Sequence, residues 1–78
     1  MRKGYTLDRL PKGRSGEILA LGFTGARQRR LLELGFAPGR RITTLEEGPW
    51  GDPVAYGVCG AVIALRRADA GKIMIAGE

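Results

Sequence analysis

Short apolar segments alternate with turns rich in glycine and proline along most of the chain, which predicts a mainly β fold. The clearest alternation places Val54, Tyr56 and Val58 on one face of an extended segment. The pattern predicts five to six short strands, over residues 5–7, 14–21, 41–47, 54–58, 61–65 and 72–75. In the third strand, Ile42 and Thr44 are expected on one side. In the last two strands the residues expected to face inward are Ile63, Leu65, Ile73 and Ile75.

One segment lacks this alternation of short apolar segments and turns. Residues 26–34 consist almost wholly of good helix formers, which predicts a helix there. Thr24 precedes it and is expected to cap its first turn through the side-chain hydroxyl. Gly35 follows it, at the position where a left-handed residue commonly ends a helix. A second, one-turn helix is predicted over 67–71.

The order of these elements predicts one domain over residues 1–78, a small bent barrel with the helix inserted after the second strand. We expect such a barrel to close its own sheet edges. Within the second strand, strict alternation places Ile18 and Ala20 on one face and Leu19 and Leu21 on the other.

The longest loop signal lies between the third and fourth strands, at residues 48–53, where two prolines would break a strand ladder. Trp50 in this loop is either an anchor for a partner or a lid over one end of the barrel. Asp52 is expected to order the loop by accepting hydrogen bonds from backbone amides.

The charge balance narrows the class of partner. The chain has 13 Lys and Arg against 8 Asp and Glu, a net charge of +5 that suits an acidic protein face, a nucleic acid or an anionic membrane surface. Cys59 is the single cysteine, which fits a reducing compartment. No apolar run is long enough to cross a bilayer, so we expect a cytoplasmic protein with no direct membrane insertion.

The residue types that perform catalysis are scarce in this chain, and no catalytic residue is predicted. There is no histidine, so the commonest general base at neutral pH is absent. Glu46 and Glu47 are neighbours on a strand and point to opposite faces, while Ser15 and Cys59 have no partner base. One thiol and scattered carboxylates also predict no metal site and no cofactor.

Basic side chains cluster on the predicted helix. Arg27 and Arg30 lie above the helix face that carries Leu31, one turn earlier. Their charged side chains must therefore bend away from this face or pair with an acidic group. Arg27, Arg29, Arg30 and Trp50 are the predicted partner-binding residues, on charge and position alone. Nucleic-acid binding would need aromatic platforms beside the cations, and Phe23 and Phe36 are expected in the core instead.

Several motifs occur in order along the chain. Leu7, Leu10 and Gly13 open the set, followed by Leu-Gly-Phe-Ala-Pro-Gly at 34–39, Gly-Asp-Pro at 51–53 and Ile-Ala-Leu-Arg at 63–66. In this order the chain resembles the ferrous iron transport protein A (FeoA) family from about residue 7 to residue 75. The resemblance implies a small SH3-like β-barrel of five to six strands with one inserted short α-helix.

The resemblance also implies a function, that of a small cytoplasmic partner of a membrane ferrous iron transporter with a cytosolic GTP-binding domain. The family's members are not known as enzymes or as firm iron binders. The same module is found at the C-terminus of iron-dependent transcription repressors. Two rival hypotheses are therefore a basic barrel that binds nucleic acid and a metal-sensing domain. In members of the family the strand that corresponds to residues 41–47 is usually more apolar than this one, which contains Thr43 and Thr44. The difference leaves open how deeply this strand packs into the core.

Overall fold

A computed structural model describes residues 4–77 as one six-stranded antiparallel sheet with a helix inserted between its second and third strands. The strands are β1 (Gly4–Thr6), β2 (Ser15–Leu21), β3 (Arg41–Glu47), β4 (Val54–Val58), β5 (Ala61–Leu65) and β6 (Ile73–Gly77). The helices are α1 (Gly25–Glu33) and α2 (Arg67–Ala70), and single 3₁₀ turns cover Leu7–Arg9 and Pro49–Gly51. The predicted mainly β fold class is confirmed.

The strand order is β1-β6-β2-β3-β4-β5, so β1 and β5 form the two edges of the sheet. In the described part of the chain β1 pairs with β6 alone and β5 with β4 alone. The expectation that the barrel closes its own sheet edges is therefore wrong, because β1 and β5 do not pair with each other. The sheet bends around its core but leaves two strands with one free side each, and this positions the candidate site described below.

The core lies on the inner face of the bent sheet. Val54, Tyr56 and Val58 are at most 2% exposed, as the alternation of β4 predicts. Phe23 and Phe36, which flank α1, are also buried, as expected. Of the residues predicted to face inward in the last two strands, Ile73 and Ile75 are buried, while Ile63 and Leu65 are partly buried and pack against the core. Ile42 and Thr44 share the buried side of β3.

The predicted alternation fails in β2, where a β-bulge interrupts pairing with β6. Ile18 lies opposite Ile75 and Ala20 opposite Met74, so the residue between them has no counterpart. Beyond the bulge the faces are exchanged: Ala20 is exposed and Leu21 packs against the core. The expectation that Ile18 and Ala20 share a face is wrong for this reason.

Helix α1 has the predicted left-handed glycine after its last turn but lacks the predicted side-chain cap at its first turn. Thr24 is the residue before its first turn, yet its side chain makes no capping hydrogen bond, which corrects that prediction. At the other end, Gly35 has a φ of +104°, and Phe36 N–H donates to the Leu31 carbonyl over 2.9 Å. A Cβ at position 35 would lie 3.0 Å from Cys59 Sγ, so the positive φ favours glycine here and any larger residue would have to displace the Cys59 side chain.

The two threonines of β3 connect the strand to β2 and to the segment before it. Thr44 is 1% exposed, and its hydroxyl donates to the Leu10 carbonyl over 3.0 Å. The hydroxyls of Thr43 and Ser15 share a hydrogen bond of 2.7 Å across the β2–β3 pair. This strand therefore packs deeply, and its polar positions satisfy groups that an apolar residue would leave without partners.

Candidate partner-binding surface

A groove of about 340 Å³ runs between helix α1 and the edge strand β5. Its floor is apolar, and it is formed by Phe23, Leu31, Leu34, Ile63 and Leu65. Arg27 and Arg30 line it from the helix, and Asp69 lines it from α2. The helical residues recur at spacings of three and four, so the 3.6-residue period of α1 brings them to one face.

The two groove arginines have different surroundings. The Arg27 guanidinium forms an ion pair with Asp69 and lies 5.2 Å from the centre of the Phe23 ring, so it bends aside and pairs as predicted. Arg30 is exposed and has no carboxylate partner among residues 4–77. Within residues 4–77, the groove therefore has an apolar floor with the unpaired positive charge of Arg30 at its rim.

The structure separates the four predicted partner-binding residues. Arg27 and Arg30 line the groove, whereas Arg29 is exposed on α1 but does not line it. Trp50 also lies outside the groove. Its relative exposure is 101%, so the interpretation of Trp50 as a lid over the barrel is wrong. An indole that contacts no core is available to a partner, which leaves the anchor interpretation as a prediction.

Arg67 holds the loop that presents Trp50, a role that nothing in the sequence pattern predicts. Its Nε donates to the Gly51 carbonyl over 2.5 Å, its Nη1 to the Asp8 carbonyl over 3.0 Å, and its Nη2 to Glu47 Oε1 over 3.1 Å. Its backbone N–H also donates to Asp52 Oδ1 over 3.0 Å. Asp52 thus does bond a backbone amide, but the amide belongs to α2 and not to its own loop.

The hydrogen bonds of Arg67, which we call the Arg67 clamp, explain the unusual backbone of the loop. Trp50 has a φ of 60°, a left-handed conformation that costs a residue with a side chain about 1–2 kcal/mol. Gly51, the next residue, also has a positive φ, of +83°. The bonds from Arg67 to Glu47 and Gly51, on either side of Trp50, stabilise this conformation, so the backbone that carries the exposed indole is held from α2.

The buried phenol of Tyr56 does not supply an acid or base that works at neutral pH. Burial raises the pKa of Tyr56 from 10.0 to about 12, because the phenolate is poorly solvated there, although the nearby Arg67 charge acts in the opposite sense. Tyr56 is therefore a neutral phenol under physiological conditions. Cys59 is exposed, with its Sγ 3.8 Å from the Gly35 carbonyl oxygen.

Two further structural findings bear on function. In residues 4–77, no three His, Cys, Asp or Glu side chains come together in a group that could hold a metal ion. Over the same residues, neither helix has the length and apolar character that crossing a bilayer requires.

Comparison with known proteins places the chain in a family. The family model of the FeoA domain matches residues 5–77. The chain belongs to the FeoA domain family. It is 36% identical over 69 residues to a fusion protein of Fe(2+) transport protein A and the Fe(2+) transporter FeoB from Porphyromonas gingivalis. The match covers 88% of this chain and 8% of the fusion protein, so the chain corresponds to a small part of that relative.

Solved FeoA structures have the same fold as this FeoA domain. The FeoA protein of Chlorobium tepidum superposes with a TM-score of 0.87 at 29% identity, covering 92% of this chain and 69% of that one. The zinc complex of Stenotrophomonas maltophilia FeoA, described as a prokaryotic SH3 domain protein, superposes with a TM-score of 0.79 at 30% identity, covering 94% of each chain. The SH3-like architecture that the sequence resemblance implied is confirmed.

Proposed function

We propose that this FeoA domain is a cytoplasmic accessory of ferrous iron uptake that binds the cytosolic GTP-binding region of a membrane ferrous iron transporter and modulates transport. The fusion protein of Porphyromonas gingivalis is the observation that carries the proposal, because it joins a related domain to the Fe(2+) transporter FeoB in one polypeptide. A covalent link of this kind keeps two modules at a high effective concentration, which is useful when they act on each other.

The surface of the domain supports a binding function. The sequence contains no histidine, and Tyr56 is a neutral phenol, so general acid–base catalysis has no evident residue to perform it. By contrast, the exposed Trp50 and the cations Arg27, Arg29 and Arg30 are residue types enriched where proteins meet. We assign these four residues to the contact with the transporter, which would then present an acidic face.

Iron uptake by whole cells tests whether the domain modulates transport. Cells that express the transporter with and without this chain are compared for uptake of radioactive ferrous iron at equal transporter abundance. The proposal predicts a rate that depends on the chain, and that returns to the chain-free value when Trp50→Ala and Arg30→Glu are combined. An uptake rate that is the same with and without the chain would overturn the modulating role.

Two measurements separate this function from its rivals. A nucleic-acid-binding barrel would bind duplex or single strands at low salt, with an affinity that falls by about 0.9 log units per log unit of salt for each phosphate contact. A metal-sensing domain would melt at a higher temperature in anaerobic ferrous iron, because a ligand that binds only the native state stabilises it. Our proposal predicts neither nucleic-acid binding nor a melting shift.

A further inference from the structure

Strand β5 is an edge strand without the features that usually protect one. Natural edges are short, charged, interrupted by proline, or twisted by a bulge, because a free strand edge pairs readily with other chains. β5 consists of Ala61–Leu65, with no charged residue and no proline, and its register with β4 shows no shift. Val62 on this strand is 71% exposed. The opposite edge strand, β1, has only three residues in the described chain.

The free side of β5 adjoins the apolar groove. In an antiparallel ladder, every second residue of an edge strand directs its N–H and C=O away from the neighbouring strand. Ile63, Ala64 and Leu65 of β5 also line the groove, so its backbone edge and its apolar floor belong to one site. An added strand would contribute backbone hydrogen bonds along β5 and alternate apolar side chains to the floor.

The charge at the rim of the groove indicates the chemistry of the segment that would add to β5. Arg27 is already paired with Asp69, whereas Arg30 has no carboxylate partner within residues 4–77. A carboxylate on the incoming segment would pair with the exposed Arg30, which lines the groove together with Leu31 and Leu34. An acidic segment is also what a chain with a net charge of +5 attracts at long range.

We propose that the groove between α1 and β5 binds an extended segment of the transporter's cytosolic chain by strand addition, with alternate apolar side chains on the groove floor and a carboxylate on Arg30. This inference rests on the proposed function, because the transporter supplies the segment. It goes further by naming the docking mode, the site on this domain and the chemistry of the segment it selects.

The chain offers two matched pairs of variants for the test. Arg30→Glu and Arg40→Glu make the same change of charge at two exposed positions, but only Arg30 lines the groove, and Arg40 is not among the residues assigned to the contact. Leu34→Asp, just after the end of α1, and Leu32→Asp, in its last turn, place a carboxylate at positions that are 37% and 41% exposed, and only Leu34 lines the groove. Since all four positions are exposed, none of the variants removes a core residue.

Binding of each variant to the full-length transporter in lipid nanodiscs is measured at fixed salt. We expect Arg30→Glu to weaken binding about tenfold and Leu34→Asp by about tenfold or more, while each control stays within about twofold of wild type. If wild type binds and each groove variant matches its control, the groove is not the site, although the partnership stands. If folded wild-type protein does not bind, both proposals are wrong.

Hydrogen exchange distinguishes strand addition from side-chain contact alone. The outward amides of β5 are expected to exchange rapidly in the free domain and at least about tenfold more slowly in the complex, because the added strand accepts their hydrogen bonds. The amides of β1 serve as the internal control and should not change. Loss of binding in Arg30→Glu without slower exchange in residues 61–65 would overturn the strand-addition mode.

Discussion

Replacement of Arg67 by alanine should destabilise the domain and release the loop that presents Trp50. The substitution removes three side-chain hydrogen bonds, which join α2 to the Leu7–Arg9 turn, to the end of β3 and to the Pro49–Gly51 turn. It retains the backbone N–H that donates to Asp52. The effect therefore isolates the guanidinium as the group that holds these segments together.

The expected magnitude follows from the surroundings of each bond. The bonds to the Gly51 and Asp8 carbonyls are partly buried and contribute about 1 kcal/mol each. The Arg67 and Glu47 side chains are 40% and 43% exposed, so their ion pair adds only about 0.5 kcal/mol. The total loss is about 2–3 kcal/mol, which lowers the Tm of a domain of this size by about 10–20 °C.

Thermal unfolding followed by circular dichroism measures the stability, and Trp50 reports on the loop because it is the single tryptophan. We expect the fluorescence anisotropy of Trp50 to fall in Arg67→Ala at temperatures where the fold is intact. Arg66→Ala is the control, because Arg66 is exposed and its side chain has no hydrogen bond or ion pair within residues 4–77. Equal Tm and equal anisotropy in the two variants would refute the claim that the Arg67 guanidinium holds the loop in place.

Three other perturbations test the packing of the fold. Gly35→Ala should cost about 1–3 kcal/mol more than Gly39→Ala in urea unfolding, because both positions have positive φ but only the first crowds Cys59; an equal cost would contradict this. Thr44→Val should cost about 1–2 kcal/mol, as it leaves a buried carbonyl without its donor. The raised pKa of Tyr56 means that its contribution to stability is complete below pH 10 and is lost as the pH rises toward about 12, a decline that Tyr56→Phe should reduce in alkaline unfolding curves.

The strands that the sequence predicts correctly are those whose signals are local. β3, β4 and β5 begin and end where alternation meets a turn, so Val54–Val58 needs no knowledge of its neighbours. The bulge in β2 has a different origin, because it arises in the pairing of Ile18 and Ala20 with β6, a strand more than 50 residues away in sequence. Strict alternation along β2 carries no sign of it.

The candidate site shows the same division. The helical period places Arg27 and Arg30 on the face of Leu31 from sequence alone, and the structure adds that Arg29 lies outside the groove. The role of Arg67 was not predictable, because its guanidinium joins residues up to 59 positions apart. The open edge at β5 was also missed, since closure of a sheet depends on the bend of the whole domain.

The most direct test of the account is a binding titration of the intact chain against the full-length ferrous iron transporter in nanodiscs. The account predicts saturable binding that weakens as salt is raised, since arginines on this domain meet an acidic segment. The absence of binding at micromolar concentrations, with both proteins folded and at low salt, would contradict it.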